Sequence, residues 1–404
     1  MKVLYTVTAF AREPGDVITP WLVEMIDRLR ARGVDVEVLA PSWKGLGDQR
    51  IGDTVVHRFR YAPRALETLT HEQTAPDRVR EKPAYLALVP GYVAAGSLAA
   101  ARLARTGRYD VVHTFWPLPH GLFGLAARRA GGIPLVSTFF GVELTWVRSK
   151  MPFFAPVLRT VIRGSDAVTA ISSHTAAEVR RLVPDARVYV VPFGAAIAPA
   201  GAPPPVRRVT SRPFRLLFTG RLVERKGVDV LLRAIARLGA TRDVRLAVVG
   251  DGPLRPALAE QAAALGIADR VELTGFVPTA ELTRRLEECD ALVLPAVQDA
   301  KGDVEGLGVV LIEALLHSRP VIASDSGGIP DIVVDGRSGL LVPPGDEGAL
   351  AGAIARLMDD PALAARLAED GRTLVAERFS WDTIITELTG IYETVVAGRA
   401  GARR

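Results

Sequence analysis

The sequence predicts two α/β domains, each carrying a doubly wound, mostly parallel sheet, and three observations lead there. Short apolar runs alternate with amphipathic segments of helix length along nearly all of the 404 residues. The alternation breaks once, at a proline-rich stretch near the middle of the chain. The length suits two domains of ordinary size, and with 49% hydrophobic and 24% charged residues each has the means to bury a core.

Taken in order, residues 2–8 read as a first strand. Trp21, Met25 and Leu29 then recur at spacings of four with charges between them, which is an amphipathic helix closed by Gly33. Residues 34–39 supply the next strand, and apolar runs at 111–113, 135–140, 167–171 and 188–191 supply further ones. Pro192, Pro199, Pro203, Pro204, Pro205 and Pro213 then crowd one stretch, which reads as a linker over residues 192–212. The rhythm restarts with strands at 215–218, 245–249, 271–274, 291–294, 321–323 and 340–342, and with helices at 228–238 and 254–265. Ile384, Leu388, Ile391, Tyr392 and Val395 mark a terminal amphipathic helix. The expected domains are therefore 1–191 and 213–378, followed by a helical segment 379–404. Ligands of such sheets bind at the carboxyl ends of the strands.

Several function classes fall away on composition. The single cysteine, Cys289, cannot form an intramolecular disulfide or a cysteine-ligated zinc site. The first apolar run is followed at once by Arg12, Glu13 and Asp16, unlike a secretory leader, so a cytoplasmic protein is expected. Residues 1–200 hold 25 Lys and Arg against 17 Asp and Glu, whereas residues 201–404 hold 25 against 28. The basic first half suits phosphorylated substrates or an anionic membrane; without a zinc-finger spacing or an aromatic RNP-like strand, nucleic acid is not expected. Residues 83–101 are free of charge for 19 positions, long enough for a membrane span. Pro90-Gly91 at its middle and its abundance of Ala and Gly favour a buried or interfacial helix instead.

The sharpest motif is Glu305-Gly306-Leu307-Gly308-Val309, with a second carboxylate at Glu313. The glycines allow a ligand close to the backbone where a helix starts, and first-turn N–H groups can hold phosphate or sugar oxygens. Glu313 interrupts an apolar run, where an unpaired charge is costly. Were the whole segment helical, Glu305 and Glu313 would lie about 12 Å apart along it and face one elongated ligand. A second cluster, Thr219-Gly220-Arg221 with Lys226-Gly227, sets two cations beside a helix start, which suits a diphosphate. Gly250-Asp251-Gly252-Pro253 and Gly327-Gly328-Ile329-Pro330 are further strand-end turns.

In this order, with Gly275-Phe276-Val277 between them, the motifs resemble the GT-B glycosyltransferases of family 4, the retaining glycosyltransferase group 1. The match is specific over residues 213–345 and looser through the first half. The resemblance implies two Rossmann-like domains facing a central cleft, and a terminal helix that packs back on the first domain. It implies a retaining, metal-independent transfer of a hexose-type sugar from a nucleotide diphosphate sugar, a UDP-sugar by preference, to a hydroxyl acceptor such as a lipid-linked saccharide. No cofactor is implied beyond that co-substrate. On the same resemblance Arg221 and Lys226 grip the diphosphate, Glu305 contacts the transferred sugar, and Glu313 binds the ribose. Gly306, Leu307, Gly308 and Val309 offer backbone N–H groups, and Val277 lies beside the base.

The first half departs from the family pattern. Phe115 and Phe140 stand where relatives often carry histidine, and Pro14-Gly15-Asp16 replaces a double glycine. Gly15 and Asp16 remain candidates for donor contact, and His120 for a sugar or acceptor contact. Phe153 and Phe154 lie among Arg148, Lys150, Arg159 and Arg163, an apolar and cationic mixture expected of a segment that docks peripherally on the inner face of an anionic membrane. A UDP-sugar epimerase of the same fold and a non-catalytic sugar-binding protein are the alternative readings; a dinucleotide dehydrogenase is disfavoured because the first strand's loop lacks Gly-x-Gly-x-x-Gly.

Overall fold

The computed structural model describes the chain except for residues 17, 72–77, 80, 196, 200, 202–212, 240–241 and 403–404. Most of the expected linker 192–212 thus lies outside the described residues. The chain divides into two compact units, Met1–Val191 with Ile384–Arg404, and Pro192–Thr383.

Unit 1 is built on eight strands: β1 (Lys2–Thr6), β2 (Asp35–Pro41), β3 (Gln49–Ile51), β4 (Thr54–Phe59), β5 (Val111–Phe115), β6 (Leu135–Phe139), β7 (Ala167–Ala170) and β8 (Val188–Val190). Their order is β3-β4-β2-β1-β5-β6-β7-β8. All neighbours are parallel except the edge hairpin of β3 and β4. Every residue of β5, β6 and β7 is buried, as a parallel sheet covered on both faces requires. The helix Pro20–Ala31 starts on a proline, which lacks the N–H that a first turn leaves unused, and buries Leu22, Met25, Ile26 and Leu29 at helical spacing. It ends at Gly33, whose φ of 77° suits glycine.

The β3 and β4 hairpin was not expected. Its strands are short, and the Thr-Val-Val-His-Arg-Phe of β4 mixes polar and apolar residues too irregularly for either period to stand out. The helices Val89–Thr106, Pro117–Gly131 and Ala155–Gly164 pack side by side in unit 1. Close approach of the first two depends on Gly96, where a Cβ would sit 2.3 Å from the Phe123 ring.

The C-terminal helix Trp381–Ala402 belongs to unit 1 from Ile384 onward. There the Tyr392 hydroxyl hydrogen-bonds the Tyr5 hydroxyl at 2.9 Å and His113 Nδ1 at 2.7 Å. In unit 2 the indole N–H of Trp381 donates to the Ala195 carbonyl at 3.1 Å.

Unit 2 carries β9 (Phe214–Thr219), β10 (Val244–Val249), β11 (Val271–Gly275), β12 (Ala291–Leu294), β13 (Val321–Ser324) and β14 (Leu340–Val342), ordered β11-β10-β9-β12-β13-β14 and parallel throughout. The order reverses at β9, between β10 and β12, which is the switch point where such sheets leave a crevice at their carboxyl ends. The helix Val228–Leu238 follows β9 and buries Val228, Val230, Leu231, Leu232, Ala234 and Ile235.

Candidate functional site

The motifs of unit 2 converge at the carboxyl ends of β9, β12 and β13, and their glycines explain how. After β9, the chain turns through Gly220 and reaches Gly227, whose φ is 65° and whose added Cβ would lie 1.9 Å from the Pro295 carbonyl beyond β12. Only glycine lets those two loops touch. The loop after β13 presses likewise on the loop after β12. A Cβ at Gly327 would lie 2.0 Å from the Glu305 carbonyl, and the Gly328 N–H donates to that carbonyl at 2.9 Å. The turn 250–253 acts differently, since Gly250 and Gly252 admit the backbone of Gly220 and Leu222. It props the first loop rather than offering itself to a ligand.

This packing brings Lys226 and Glu305, 79 positions apart, into an ion pair of 2.5 Å with 11% of each side chain exposed. Burial pushes the Glu305 carboxyl up, but the charge and hydrogen bond of Lys226, with help from Arg225 and the Gly306 amide, hold it below its ordinary range. Glu305 is thus ionised, and one buried cation and one buried anion face each other where ligands of this sheet type bind. Arg221 lies exposed on the same loop as Lys226, and its guanidinium forms no ion pair or hydrogen bond among the described residues. It is a cation at hand for an incoming anion.

The helix beyond Glu305 starts later than a continuous-helix reading requires. Val309–Leu316 is helical, with Gly308 at φ 90° before it, and residues 305–307 are irregular. Glu305 and Glu313 are therefore not aligned on one helix, and the 12 Å spacing does not apply. Glu305 instead points to Lys226, while Glu313, 6% exposed, accepts the Ile197 N–H at 3.3 Å. Leu307 and Gly308 are buried and Gly306 and Val309 half-buried where the helix starts, and the N–H groups of a helix's first turn have no intrahelical partner. Val277 is half-buried just past β11, beside Phe276, which is 83% exposed. A cavity of about 480 Å³ in this unit lies elsewhere, lined by Arg215, Arg245 and Arg270 around the opposite ends of β9 and β10, and shares no residue with the site.

In unit 1 the candidates meet different surroundings. Gly15 has a φ of 81° and open space about its Cα. Both oxygens of Asp16 are engaged by Arg12, with Nε at 2.7 Å, and one also accepts the Ile18 N–H at 3.3 Å. The Arg12 hydrogen bond holds the Asp16 carboxyl at about 2. Asp16 therefore closes its own loop, where a sugar contact was expected. His120 is buried, with Nε2 2.9 Å from the Tyr92 hydroxyl and Nδ1 3.2 Å from the Trp116 carbonyl. Burial pushes it down to about 4, so it stands neutral with both nitrogens occupied, in place of the expected sugar or acceptor contact.

Two features escaped the sequence reading. The carboxyl ends of β5 and β6 are capped by rings: Trp116 stacks on Phe140 with centroids 4.2 Å apart, and Trp21 packs edge-on to Trp116. Nearby Glu143 is buried, its Oε1 accepting the Phe140 N–H at 2.8 Å and its Oε2 without a hydrogen bond among the described residues. Burial outweighs its backbone hydrogen bonds and pushes it up to about 7. Four residues past the end of β6, Glu143 carries no motif to announce it. Among the described residues no group of three or more His, Cys, Asp or Glu is placed to hold a metal ion.

Comparison with known proteins identifies the family and the fold. Residues 213–360 match the family described as Glycosyl transferases group 1, and residues 20–198 match Glycosyltransferase Family 4. The GDP-mannose-dependent alpha-(1-6)-phosphatidylinositol monomannoside mannosyltransferase of Mycobacterium tuberculosis is 31% identical over 400 residues, covering 96% of this chain and 97% of its own. Its counterpart in Mycolicibacterium smegmatis is 33% identical over 76% of this chain and 81% of its own. Among solved structures, sucrose-phosphate synthase from Thermosynechococcus elongatus superposes with a TM-score of 0.76 at 24% identity, over 98% of this chain and 99% of that one. Anabaena HepE, solved in complex with UDP and glucose, gives 0.67 at 19% over 98% and 100%. The chain belongs to glycosyltransferase family 4, the glycosyl transferases group 1, and has the GT-B fold.

Proposed function

We propose that this glycosyltransferase moves a hexose from a nucleoside diphosphate sugar to a hydroxyl of a lipid-linked saccharide, with retention at the anomeric carbon and without a metal ion. The observation that carries the reading is the buried Lys226–Glu305 pair at the carboxyl ends of β9 and β12, beside the helix start at Gly308 and the exposed Arg221. An ammonium and a guanidinium on one loop supply the positive charge that a diphosphate leaving group needs. Glu305 holds Lys226 in place and turns its remaining oxygen toward the transferred sugar. The backbone N–H groups of Gly306–Val309 contact sugar or phosphate, Glu313 the ribose hydroxyls, and Val277 the base.

In the reaction the bond from the anomeric carbon to the β-phosphate oxygen breaks, and the nucleoside diphosphate leaves with the electron pair. The acceptor oxygen forms its bond on the same face and passes its proton to the departing phosphate. Arg221 and Lys226 stabilise the charge that grows on that phosphate, which is the interaction that strengthens in the transition state.

A UDP-sugar is the donor favoured by the sequence reading. The relatives named above are GDP-mannose-dependent by name, and they move the proposal to GDP-mannose. The same names support a glycolipid acceptor, and with it a cytoplasmic enzyme working peripherally at a membrane. Turnover measured side by side with GDP-mannose, UDP-glucose and UDP-galactose, with and without EDTA, tests the reading. GDP-mannose consumption that survives EDTA and yields an α-linked product is expected. Turnover with UDP-sugars alone would overturn the donor, loss in EDTA the metal independence, and a β-linked product the stereochemistry.

A further inference from the structure

The helix Val89–Thr106 and the 3₁₀ turns Pro83–Leu88 before it form the one segment among the described residues long and apolar enough to cross a membrane. Its inner face, with Tyr92, Gly96, Ala100 and Ala104, is buried in unit 1. The outer face of a surface helix ordinarily carries charge. Here Ala87, Gly91, Ala94 and Leu98 occupy it at spacings of four, three and four, all exposed, with Leu98 76% and Leu86 60% accessible. The same stripe then turns to Arg102 and Arg105, also exposed.

Two further helices belong to the same layer. Pro117–Gly131 packs against both Val89–Thr106 and Ala155–Gly164, with Gly121 admitting Val161. Ahead of Ala155–Gly164, Phe153 is 67% exposed, and Arg159 and Arg163 follow it, exposed. Residues 82–163 hold ten Lys and Arg against two Asp and Glu, and one of those two, Glu143, is buried. A net positive excess as large as that of the whole first half therefore falls within the stretch of chain that also carries exposed Leu86, Leu98 and Phe153.

We propose that this helix layer is a docking surface for an anionic lipid bilayer, with Leu86, Leu98 and Phe153 entering the acyl boundary and Arg102, Arg105, Arg159 and Arg163 meeting headgroup phosphates. Charge complementarity selects lipid over a protein partner: the patch pairs aliphatic and aromatic side chains with cations and offers few polar groups of fixed direction. The helix lies on the membrane and does not span it, because its inner face is part of the core of unit 1 and withdrawing it would open that core. The inference deepens the lipid-linked acceptor reading, which gives the docking its purpose, and it is tested without turnover.

Full-length protein is cosedimented with vesicles of phosphatidylcholine alone, and with vesicles of phosphatidylcholine and phosphatidylglycerol in equal parts, at low and high salt. Binding to the anionic vesicles is expected to be about tenfold tighter or more, and to weaken with salt. Leu86→Glu with Leu98→Glu is expected to lose about tenfold in binding at unchanged thermal stability, and Arg102→Glu with Arg105→Glu to lose both affinity and salt dependence. Equal binding to the two vesicle types would overturn the proposal, as would variants that bind like the parent. A dimer in solution that Leu98→Glu dissociates, without vesicle binding, would assign the face to a second copy instead and also overturn it. Vesicle binding without turnover of any donor would sink the transferase reading and leave this surface standing.

Discussion

The carboxyl ends of the two sheets are finished in opposite ways. In unit 2 the strand ends are trimmed to glycine, loops from β9, β12 and β13 touch through backbone, and the space between holds a buried ion pair. In unit 1 the corresponding ends of β5 and β6 are closed by Trp116 and Phe140, and the histidines behind them are neutral, His113 pushed down to about 3 and His120 to about 4 by burial. One end is organised around charge, the other around ring packing. A diphosphate needs cations and N–H groups at fixed positions; an acceptor can be chosen by shape.

Mutations at the charged end test that contrast most severely. On the proposed mechanism Lys226→Ala removes a cation from the leaving group, and it leaves Glu305 buried without its partner. Turnover should fall about a thousandfold, and thermodynamic stability by about 3 kcal/mol. A double-mutant cycle with Glu305→Gln should show strong coupling, since removing both charges costs less than the two single changes together. Additive effects would mean that the pair is not a unit. Gly227→Ala, forced to a φ of 65° and against the Pro295 carbonyl, should cost about 3 to 4 kcal/mol in chemical denaturation. A tolerated alanine there would show that the two loops need not touch.

At the aromatic end the expected signature is a pH dependence. Glu143 is raised from an ordinary value of 4.5 to about 7 in the folded chain, so folding favours its protonated form. That contribution is complete below pH 4.5 and is lost as pH rises through 7, a loss of about 3 kcal/mol across the window. Denaturation of the parent and of Glu143→Gln between pH 5 and pH 8 measures it. Buried His113 and His120 add stability to both proteins as pH rises towards 6.5, so the readout is the difference: Glu143→Gln should gain about 3 kcal/mol on the parent across this range, and parallel curves would mean that Glu143 is not held protonated. Smallest is Arg221→Ala: the exposed guanidinium should leave stability within about 0.5 kcal/mol while turnover drops about tenfold.

These regions also differ in how far the sequence alone reveals them. The strands of unit 2 and its Gly-Arg, Lys-Gly and Glu-Gly-Leu-Gly turns are visible because a backbone that must approach a ligand or another loop tolerates little but glycine. Their meaning is not uniform, however. Gly250 and Gly252 serve loop packing, and the direct pairing of Lys226 with Glu305 spans too many positions for a local pattern to signal. In unit 1, His120 looks like a contact because histidine is so often one, and only the Tyr92 hydroxyl and Trp116 carbonyl reveal it as a satisfied interior group. Asp16 is absorbed by Arg12 for a similar reason, four positions being close enough for a local ion pair. Glu143 and the Trp21, Trp116 and Phe140 rings come together from three separate stretches of the chain, and no spacing along the chain encodes that meeting.

The central claim is that Lys226 and Arg221 receive a diphosphate at the end of β9. Calorimetric titration of GDP and of guanosine into the parent and into Arg221→Ala combined with Lys226→Ala, with UDP and uridine alongside, tests it most directly. The account predicts that the double change weakens the nucleoside diphosphate about a hundredfold and leaves the phosphate-free nucleoside unaffected. Equal affinity of parent and variant for GDP and for UDP, or an equal loss for nucleoside and nucleoside diphosphate, would contradict it.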